Sequence, residues 1–287
     1  MPELPEVEVV KKSLEDKLKN LTIKGVFVNN NKLRYEIDNK AFSKIKGFKI
    51  TSIKRRSKYL LINLDQNLTI LAHLGMTGKF FILNKKKKHK TSFYYSLKKN
   101  DAKHDHITFF LNKGFQLIYN DVRKFGFIKL FKSQNIYECN HLKFLGPEPL
   151  TKNFNTSYVN DYLLDKKKNI KDLLMNQKFI AGLGNIYCNE ILFSCKINPN
   201  RIAKKVNKNE LTKIVKVTKK ILKKSISQGG SSIKNFASTE GKNGSFQQKF
   251  NVYNRENRKC KTKNCISIIK KFYISGRSSF FCPLCQK

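Results

Sequence analysis

The chain has 287 residues, 40% of them hydrophobic, and this length favours two compact units over one. No stretch approaches the roughly eighteen apolar residues of a membrane span, and acids stand at the start where a secretory signal would be basic, so we expect a cytoplasmic protein with no membrane association. The 59 Lys and Arg against 20 Asp and Glu give a formal charge of +39, which favours nucleic acid as the partner.

Arginine is rare in this basic chain, with eight residues among the 59 cations. A lysine-rich composition is also what an A/T-rich genome imposes on ordinary proteins, so the charge alone does not establish a nucleic-acid function. The few arginines are the better candidates for function, because a planar two-pronged donor makes contacts that a point charge cannot.

The first half of the chain predicts a helix followed by a β-structure. Val7, Val10, Leu14 and Leu18 recur at helical spacing, so a helix is expected to begin almost at residue 2. Short β-branched and aromatic runs then predict strands at 21–28, 48–53, 59–64, 68–73, 79–83, 107–111, 115–119 and 127–131. The lysine run at 84–90, polar through about residue 103, predicts a solvated loop. This order favours an antiparallel sandwich or barrel behind a leading helix.

The second half predicts helices and a small terminal module. Gly146-Pro147-Glu148-Pro149 is stiff and extended, which favours a domain boundary there. Helical spacing follows at 158–164, 170–175, 186–193 and 211–225. We therefore expect an α+β protein of two domains, divided into a sandwich domain at 1–135, a hinge at 136–150, a helical region at 151–248 and a cysteine module at 249–287.

Four of the seven cysteines have the spacing of a zinc module. Cys260-x4-Cys265 and Cys282-x2-Cys285 are typical of two thiolate knuckles around one tetrahedral Zn2+, with a β-hairpin between them. The alternative is a pair of disulfides, which a reducing compartment disfavours. So small a module has little core, so the zinc is expected to be structural. The other three cysteines are interpreted as inert buried thiols, namely Cys139, Cys188 and Cys195.

The chain start has a possible chemical use. Removal of Met1 would leave Pro2, a secondary amine whose pKa lies well below that of a lysine and which is nucleophilic when unprotonated. The helix dipole would lower that pKa further, whereas Glu3 and its neighbouring acids would raise it. Without further information Pro2 and Glu3 are only the residues that start a helix.

Short blocks of recognisable sequence are distributed along the whole chain. They are Pro2-Glu3-Leu4-Pro5-Glu6, Arg55-Arg56-Ser57-Lys58-Tyr59, His73-Leu74-Gly75-Met76-Thr77-Gly78, Lys103-His104-Asp105-His106, Arg123-Lys124-Phe125-Gly126, Gly182-Leu183-Gly184-Asn185, Gln228-Gly229-Gly230-Ser231 and the four terminal cysteines. In this order they resemble bacterial formamidopyrimidine-DNA glycosylase. The resemblance implies a helical region with a helix-two-turn-helix element and a terminal zinc-finger hairpin.

The resemblance implies a bifunctional repair enzyme that removes oxidised purines, such as 8-oxoguanine and formamidopyrimidines, from duplex DNA. By similarity, Pro2 forms a Schiff base with the sugar and Glu3 protonates the ring oxygen. Lys58 matches the lysine that assists the first elimination at the abasic site, and Arg277 the arginine credited with the second. The protein would be a monomer with one structural Zn2+, acting in the cytoplasm at the nucleoid.

The resemblance also implies how the DNA is held. Met76, Arg123 and Phe125 match three side chains that fill the space of the extruded nucleotide, with Arg123 toward the orphaned cytosine. His104, Lys167 and Asn185 correspond to other DNA contacts of the family. The segment 229–253 resembles a loop that closes over the extruded base.

The chain departs from the family pattern at a few positions, and two alternative functions stay open. The first cysteine knuckle has four intervening residues where the family usually has two, and Val122 and Lys124 replace a proline and an arginine. One alternative is the sister enzyme endonuclease VIII, which prefers oxidised pyrimidines. That enzyme typically carries Gly where this chain has Leu4, so Leu4 favours the purine enzyme. A non-catalytic zinc-ribbon nucleic-acid binder would not form a covalent adduct with damaged DNA on borohydride reduction.

Overall fold

The structure is a computed structural model that describes residues 1–84, 87–92, 102–231 and 249–287, with only the backbone of 87–92. Its described residues form two compact units. The first contains the described part of 1–143 together with 229–231, and the second contains 144–228 together with 249–287. The finer four-part division made from the sequence stays a prediction.

The leading helix α1 spans Leu4–Leu18, two residues later than expected. Glu3 has extended backbone angles and serves as the N-cap, so Pro2 and Glu3 precede the helix instead of forming its first turn. Val7, Val10 and Leu14 are at most 3% exposed and pack into one core with both sheets of this unit. Burial of this apolar face therefore fixes the position of the chain start.

Two antiparallel sheets share that core. The strands are β1 (Ile23–Val28), β2 (Ile50–Arg56), β3 (Tyr59–Leu64), β4 (Leu68–His73), β5 (Lys79–Asn84), β6 (Lys87–Ser92), β7 (Asp105–Leu111), β8 (Phe115–Asn120) and β9 (Phe127–Lys132). One sheet has the order β1-β7-β8-β5-β6 and the other β2-β3-β4-β9. A short helix, α2 (Asn39–Ser43), lies between the first two strands in the sequence.

One sequence expectation was wrong in this region. The lysine run was expected to be loop, but Lys87–Ser92 forms strand β6, which pairs with β5 at the edge of its sheet. Pairing at an edge uses backbone N–H and C=O groups, and lysines are favoured on edge strands because their charge prevents further pairing. An apolar pattern is therefore not needed for a strand there.

The second unit begins with helices α3 (Thr156–Leu163), α4 (Ile170–Met175), α5 (Asn185–Cys195) and α6 (Lys208–Ser227). Asparagine side chains cap three of them, where Asn155, Asn169 and Asn207 each accept from a backbone N–H of the first turn. Two turns, at 177–179 and 181–182, separate α4 from α5. The helix-two-turn-helix arrangement is thus present.

A hairpin of β10 (Lys270–Ile274) and β11 (Arg277–Phe281) closes the chain. The segment that precedes the hairpin in the sequence is held by Glu190 of α5, whose carboxylate is only 2% exposed. Glu190 accepts from the backbone N–H groups of Asn251, Val252 and Tyr253 at 2.9 Å each. The cysteine module is therefore held to the helices by a buried polar contact.

The α+β class with antiparallel sheets, a helical middle and a terminal hairpin is confirmed. None of the helices in the described ranges has the length and apolar composition to cross a bilayer. Most of the loop expected to cover an extruded base, 232–248, lies outside the described residues.

Candidate active site and nucleic-acid interface

The chain start is buried in the first unit. Pro2 is buried and Glu3 is 3% exposed, whereas Met1 is 47% exposed. The backbone N–H of Glu3 donates to Oε2 of Glu6 at 2.8 Å, which ties the first residues to the first helical turn. Removal of the exposed Met1 would therefore leave a new terminus in a fixed and largely enclosed position.

The other oxygen of Glu6 binds a segment far along the chain. Oε1 accepts from the backbone N–H and from the hydroxyl of Ser231, both at 2.8 Å. Gly230 makes this approach possible, because its φ is +82° and a Cβ there would lie 3.2 Å from Glu6 Oε1. The sequence indicates Glu6 only as an acid near the chain start, and no local pattern in it indicates Ser231 as the partner.

Burial lowers the pKa of the N-terminal amine. Glu3 and Glu6 oppose this shift, and the cations Lys58 and Arg123 add to it. The amine of the unprocessed chain belongs to Met1, and processing would place it on Pro2, one residue further into the same surroundings. The charges of Glu3, Glu6, Lys58 and Arg123 thus all affect the terminal amine, and the net effect lowers its pKa and favours its neutral form.

Lys58 lies in the two-residue turn between β2 and β3 and is 7% exposed. The turn begins at Ser57, whose φ is +55°. Arg55 braces the turn, since its Nη1 donates to the Ser57 carbonyl at 2.8 Å while its Nε donates to Glu8 Oε2 at 2.6 Å. Arg55 thus links the turn that carries Lys58 directly to α1. This arginine, one of eight in the chain, positions the backbone next to Lys58.

Two loops of the first unit, residues 74–78 and 121–126, are called the paired loops below. Met76 on one and Phe125 on the other are 41% and 47% exposed, so neither is a core residue. The guanidinium of Arg123, also exposed, lies 4.6 Å from the centre of the Phe125 ring. His104 is adjacent, because its carbonyl accepts from the backbone N–H of Asp121 at 3.1 Å.

In the second unit, Asn185 is the first residue of α5 and follows the N-cap Gly184. Gln177 shapes the turn before it, accepting from the Gly182 N–H at 2.8 Å and donating to the Leu183 carbonyl at 2.7 Å. The backbone N–H groups at a helix start are suited to binding a phosphate. Lys167 is exposed in the segment between α3 and α4.

Arg277 is exposed at the start of β11, directly after the hairpin turn. Ser275 and Gly276 form this turn with φ of 47° and 70°, the two positive values that match the twist of a hairpin. The backbone N–H of Phe280 donates to Asn189 Oδ1 at 2.7 Å, which fixes β11 against α5.

The four terminal cysteines converge. The Sγ atoms of Cys260, Cys265, Cys282 and Cys285 lie within 4.8 Å of one another. Three Sγ pairs are 3.5, 3.7 and 3.9 Å apart. Zn–S bonds of about 2.3 Å in a tetrahedron separate sulfurs by about 3.8 Å, whereas a disulfide requires about 2.05 Å. The cluster fits a tetrahedral metal site and not two disulfides.

The other cysteines do not join this cluster. Cys188 and Cys195 are buried, and burial raises the pKa of Cys195 to about 12, as expected of inert thiols. Cys139 was expected to be buried and is instead half-exposed. It directly follows the 3-10 helix Ser133–Glu138, whose one buried residue is Ile136.

Comparison with known proteins agrees with this geometry. Residues 1–128 match the formamidopyrimidine-DNA glycosylase N-terminal domain family, and residues 145–237 match the formamidopyrimidine-DNA glycosylase H2TH domain family. The chain is 42% identical over 287 residues to a formamidopyrimidine-DNA glycosylase of Hydrogenovibrio crunogenus, covering 100% of this chain and 97% of that protein. It is 38% identical over 286 residues to that of Rickettsia felis, covering 100% and 98%.

Solved structures give the same result. A complex of the Lactococcus lactis Fpg with DNA containing an abasic site has a TM-score of 0.86 and 30% identity, with 99% of each chain covered. A mutant of that protein with Fapy-dG containing DNA has a TM-score of 0.86 and 31% identity, with 100% of each chain covered. The chain therefore belongs to the formamidopyrimidine-DNA glycosylase family.

Proposed function

We propose that this chain is a DNA base-excision repair enzyme, a bifunctional glycosylase and abasic-site lyase that removes oxidised purines from duplex DNA. The observation that carries the proposal is the enclosed chain start, where burial and the nearby Lys58 lower the pKa of the terminal amine. A neutral amine in a fixed position is what covalent catalysis on a sugar carbon requires. Family membership agrees with this chemistry.

The reaction begins after Met1 is removed. The Pro2 nitrogen attacks C1′ of the damaged nucleotide, the base leaves, and Glu3 protonates the ring oxygen as the sugar opens. The resulting iminium acts as an electron sink. Loss of a proton from C2′ expels the 3′ phosphate with the help of Lys58, and a second elimination that uses Arg277 expels the 5′ phosphate. A one-nucleotide gap remains.

The damaged base must leave the helix before the amine can reach its sugar. Met76 and Phe125 would enter the space that it vacates. Exposed apolar side chains on adjacent loops are suited to this role. Arg123, stacked on Phe125, would donate to the acceptors of the orphaned cytosine. The exposure of these side chains supports this role, because side chains buried in the protein core could not enter the DNA.

The remaining contacts would hold the DNA backbone. We infer that phosphates contact His104 beside the paired loops, Lys167 in a loop and Asn185 at the start of α5. The exposure of Lys167 and the partial exposure of the other two support this inference. A net charge of +39 supplies the long-range attraction. We infer that the protein acts as a monomer on duplex DNA and that it is located in the bacterial cytoplasm at the nucleoid.

The cysteine cluster would hold one Zn2+ through Cys260, Cys265, Cys282 and Cys285. Bound zinc supplies no chemistry to the reaction and instead fixes the fold of the terminal module. That module carries Arg277, so the metal would affect the second elimination through the position of the hairpin.

Borohydride trapping tests the proposal. Purified chain with a free Pro2 is incubated with duplexes that contain 8-oxoguanine, thymine glycol or no lesion, then reduced. We expect a covalent adduct with 8-oxoguanine DNA, much less with thymine glycol and none with intact DNA. A preparation that retains Met1 or a tag should form no adduct. Preference for thymine glycol would favour the endonuclease VIII alternative, and the absence of any adduct would refute the enzyme.

A further inference from the structure

Asp121 is the first residue of the second paired loop, and its side chain has no solvent exposure. Its Oδ2 accepts from the backbone N–H of Gly126 at 2.7 Å. Its Oδ1 accepts from the Thr77 hydroxyl and from the backbone N–H of Arg123, the latter at 3.3 Å. One carboxylate thus binds both loops. It contacts Thr77, the residue after Met76, in the first loop, and it contacts Arg123 and Gly126 in the second.

The two loops also contact each other directly. Gly75 has a φ of +56°, and a Cβ there would lie only 2.4 Å from the backbone nitrogen of Gly126. The Thr77 hydroxyl adds a second link, since it accepts from the Arg123 N–H at 3.0 Å while it donates to Asp121. The loops therefore form one packed element and not two independent tips.

Burial of a carboxylate is unfavourable unless hydrogen-bond donors satisfy its oxygens. An apolar side chain would fill this space at lower cost, so the acid at position 121 indicates a role for its hydrogen bonds. The described donors to this carboxylate are N–H and O–H groups of the paired loops. We propose that Asp121 is a positioning residue, which holds Met76, Arg123 and Phe125 in the arrangement that enters the duplex. The proposal rests on the proposed function, in which these side chains replace the extruded nucleotide.

Asp121→Asn tests the carboxylate without changing its shape. The amide has one acceptor oxygen, so in either orientation an N–H2 group faces a loop donor. Gly75→Ala is an independent variant, because it separates the loops sterically and leaves Asp121 intact. Glu190→Gln is the matched control, since Glu190 is an equally buried carboxylate whose backbone donors belong to residues 251–253.

The experiment compares two reactions of the full chain. The first is excision of 8-oxoguanine from duplex DNA, opposite cytosine and opposite adenine. The second is cleavage at a preformed abasic site in single-stranded DNA, which has no base stack for the loops to enter. We expect Asp121→Asn and Gly75→Ala to lower duplex excision roughly 10- to 100-fold, with single-strand cleavage within about twofold of normal. Both should weaken the preference for opposite cytosine, whereas Glu190→Gln should keep it.

The outcomes separate the two proposals. Unchanged duplex excision and opposite-base preference in the loop variants would overturn the role of Asp121. An equal loss on single-stranded and duplex DNA, from protein that still unfolds cooperatively on heating, would also overturn it. If the unmodified chain fails to cleave the single strand, the proposed function itself fails. If Asp121→Asn does not fold, Thr77→Val replaces it in the comparison, because this variant removes one hydroxyl donor to the same carboxylate.

Discussion

Lys171 of α4 is fully buried, and its Nζ donates to the hydroxyl of Ser279 at 2.7 Å and to the carbonyl of Ser278 at 2.8 Å. Asp172 adds a contact to the same hairpin by accepting from the Ser275 hydroxyl at 2.8 Å. Helix α4 therefore holds strand β11 immediately after Arg277. A lysine placed here acts as an internal donor to the hairpin and not as a surface cation.

Lys171→Met should loosen that hairpin and alter the products of the proposed reaction. Removal of the ammonium leaves buried acceptors in β11 unsatisfied, at a cost of about 1 to 3 kcal/mol in unfolding free energy. We expect the first elimination to persist and the second, assigned to Arg277, to decline, so that products with a 3′ sugar remnant accumulate. Gel analysis of cleaved abasic DNA measures this ratio. Lys216→Met, at an exposed lysine of α6, should leave the ratio unchanged.

The pH dependence of imine formation should follow the charges around the amine. Glu6 raises the amine pKa and Lys58 lowers it. Glu6→Gln should therefore move the midpoint of the trapping rate to lower pH, and Lys58→Met should move it to higher pH. The measurement is borohydride trapping on single-stranded abasic DNA across a pH series. Glu15→Gln on the same helix serves as the control, and a shared midpoint in all variants would contradict the assignment.

His73 should make the fold sensitive to acid. Burial, followed by the charge of Lys58, lowers the His73 pKa from 6.5 to about 4, and its Nδ1 accepts from the Gly75 N–H at 3.1 Å. Below pH 6.5 the His73 imidazole of the unfolded chain binds a proton, whereas the imidazole of the folded chain binds one only near pH 4. Stability is thus present above pH 6.5 and is lost as the pH falls, by about 2 kcal/mol at pH 5 and about 3 kcal/mol below pH 4.

The variant His73→Asn isolates this contribution. Its amide oxygen can replace Nδ1 as an acceptor but does not titrate. Urea unfolding at pH 7.5 and pH 5 should show a smaller difference in the variant than in the unmodified chain. An identical pH dependence in both proteins would assign the acid sensitivity to other groups.

Metal removal should affect the terminal module selectively. The purified chain is expected to contain one zinc per molecule by elemental analysis. Cys282→Ser should lose the zinc, weaken duplex binding and impair the second elimination, because thiolate ligation stabilises so small a module. Cys139→Ser is the control, since Cys139 lies outside the cluster. Full zinc content in the Cys282 variant would contradict the ligand set.

Arg123→Ala should relax the choice of opposite base. Loss of a forked donor to the orphaned cytosine should reduce discrimination against other bases by about 1 to 3 kcal/mol. Lys124→Asn is a suitable control, because Asn tolerates the positive φ of 56° at that position while the charge is removed. The control should weaken binding uniformly, without a change in discrimination. Competition between duplexes with cytosine and adenine opposite the lesion measures both effects.

Local patterns predicted much of this molecule because their cause is local. The apolar spacing of α1, the β-branched and aromatic runs of the sheet strands and the knuckle spacing of the cysteines are each visible within a few residues. Strand β6 escaped prediction because an edge strand is held by backbone pairing and needs no apolar pattern. The short helix Asn39–Ser43 was also not predicted from its sequence.

The sequence by itself therefore determined the order of the elements other than α2 and β6, the α+β class, the four cysteines that converge and the motifs that indicate the family. Only the tertiary structure decided which groups meet across long sequence separations, as Glu6 meets Ser231 and as Asp121 meets Thr77. It also decided that Met76 and Phe125 are exposed. The physical reason is that hydrogen-bond partners and exposure depend on how the chain folds back on itself, for which no local periodicity carries a signal.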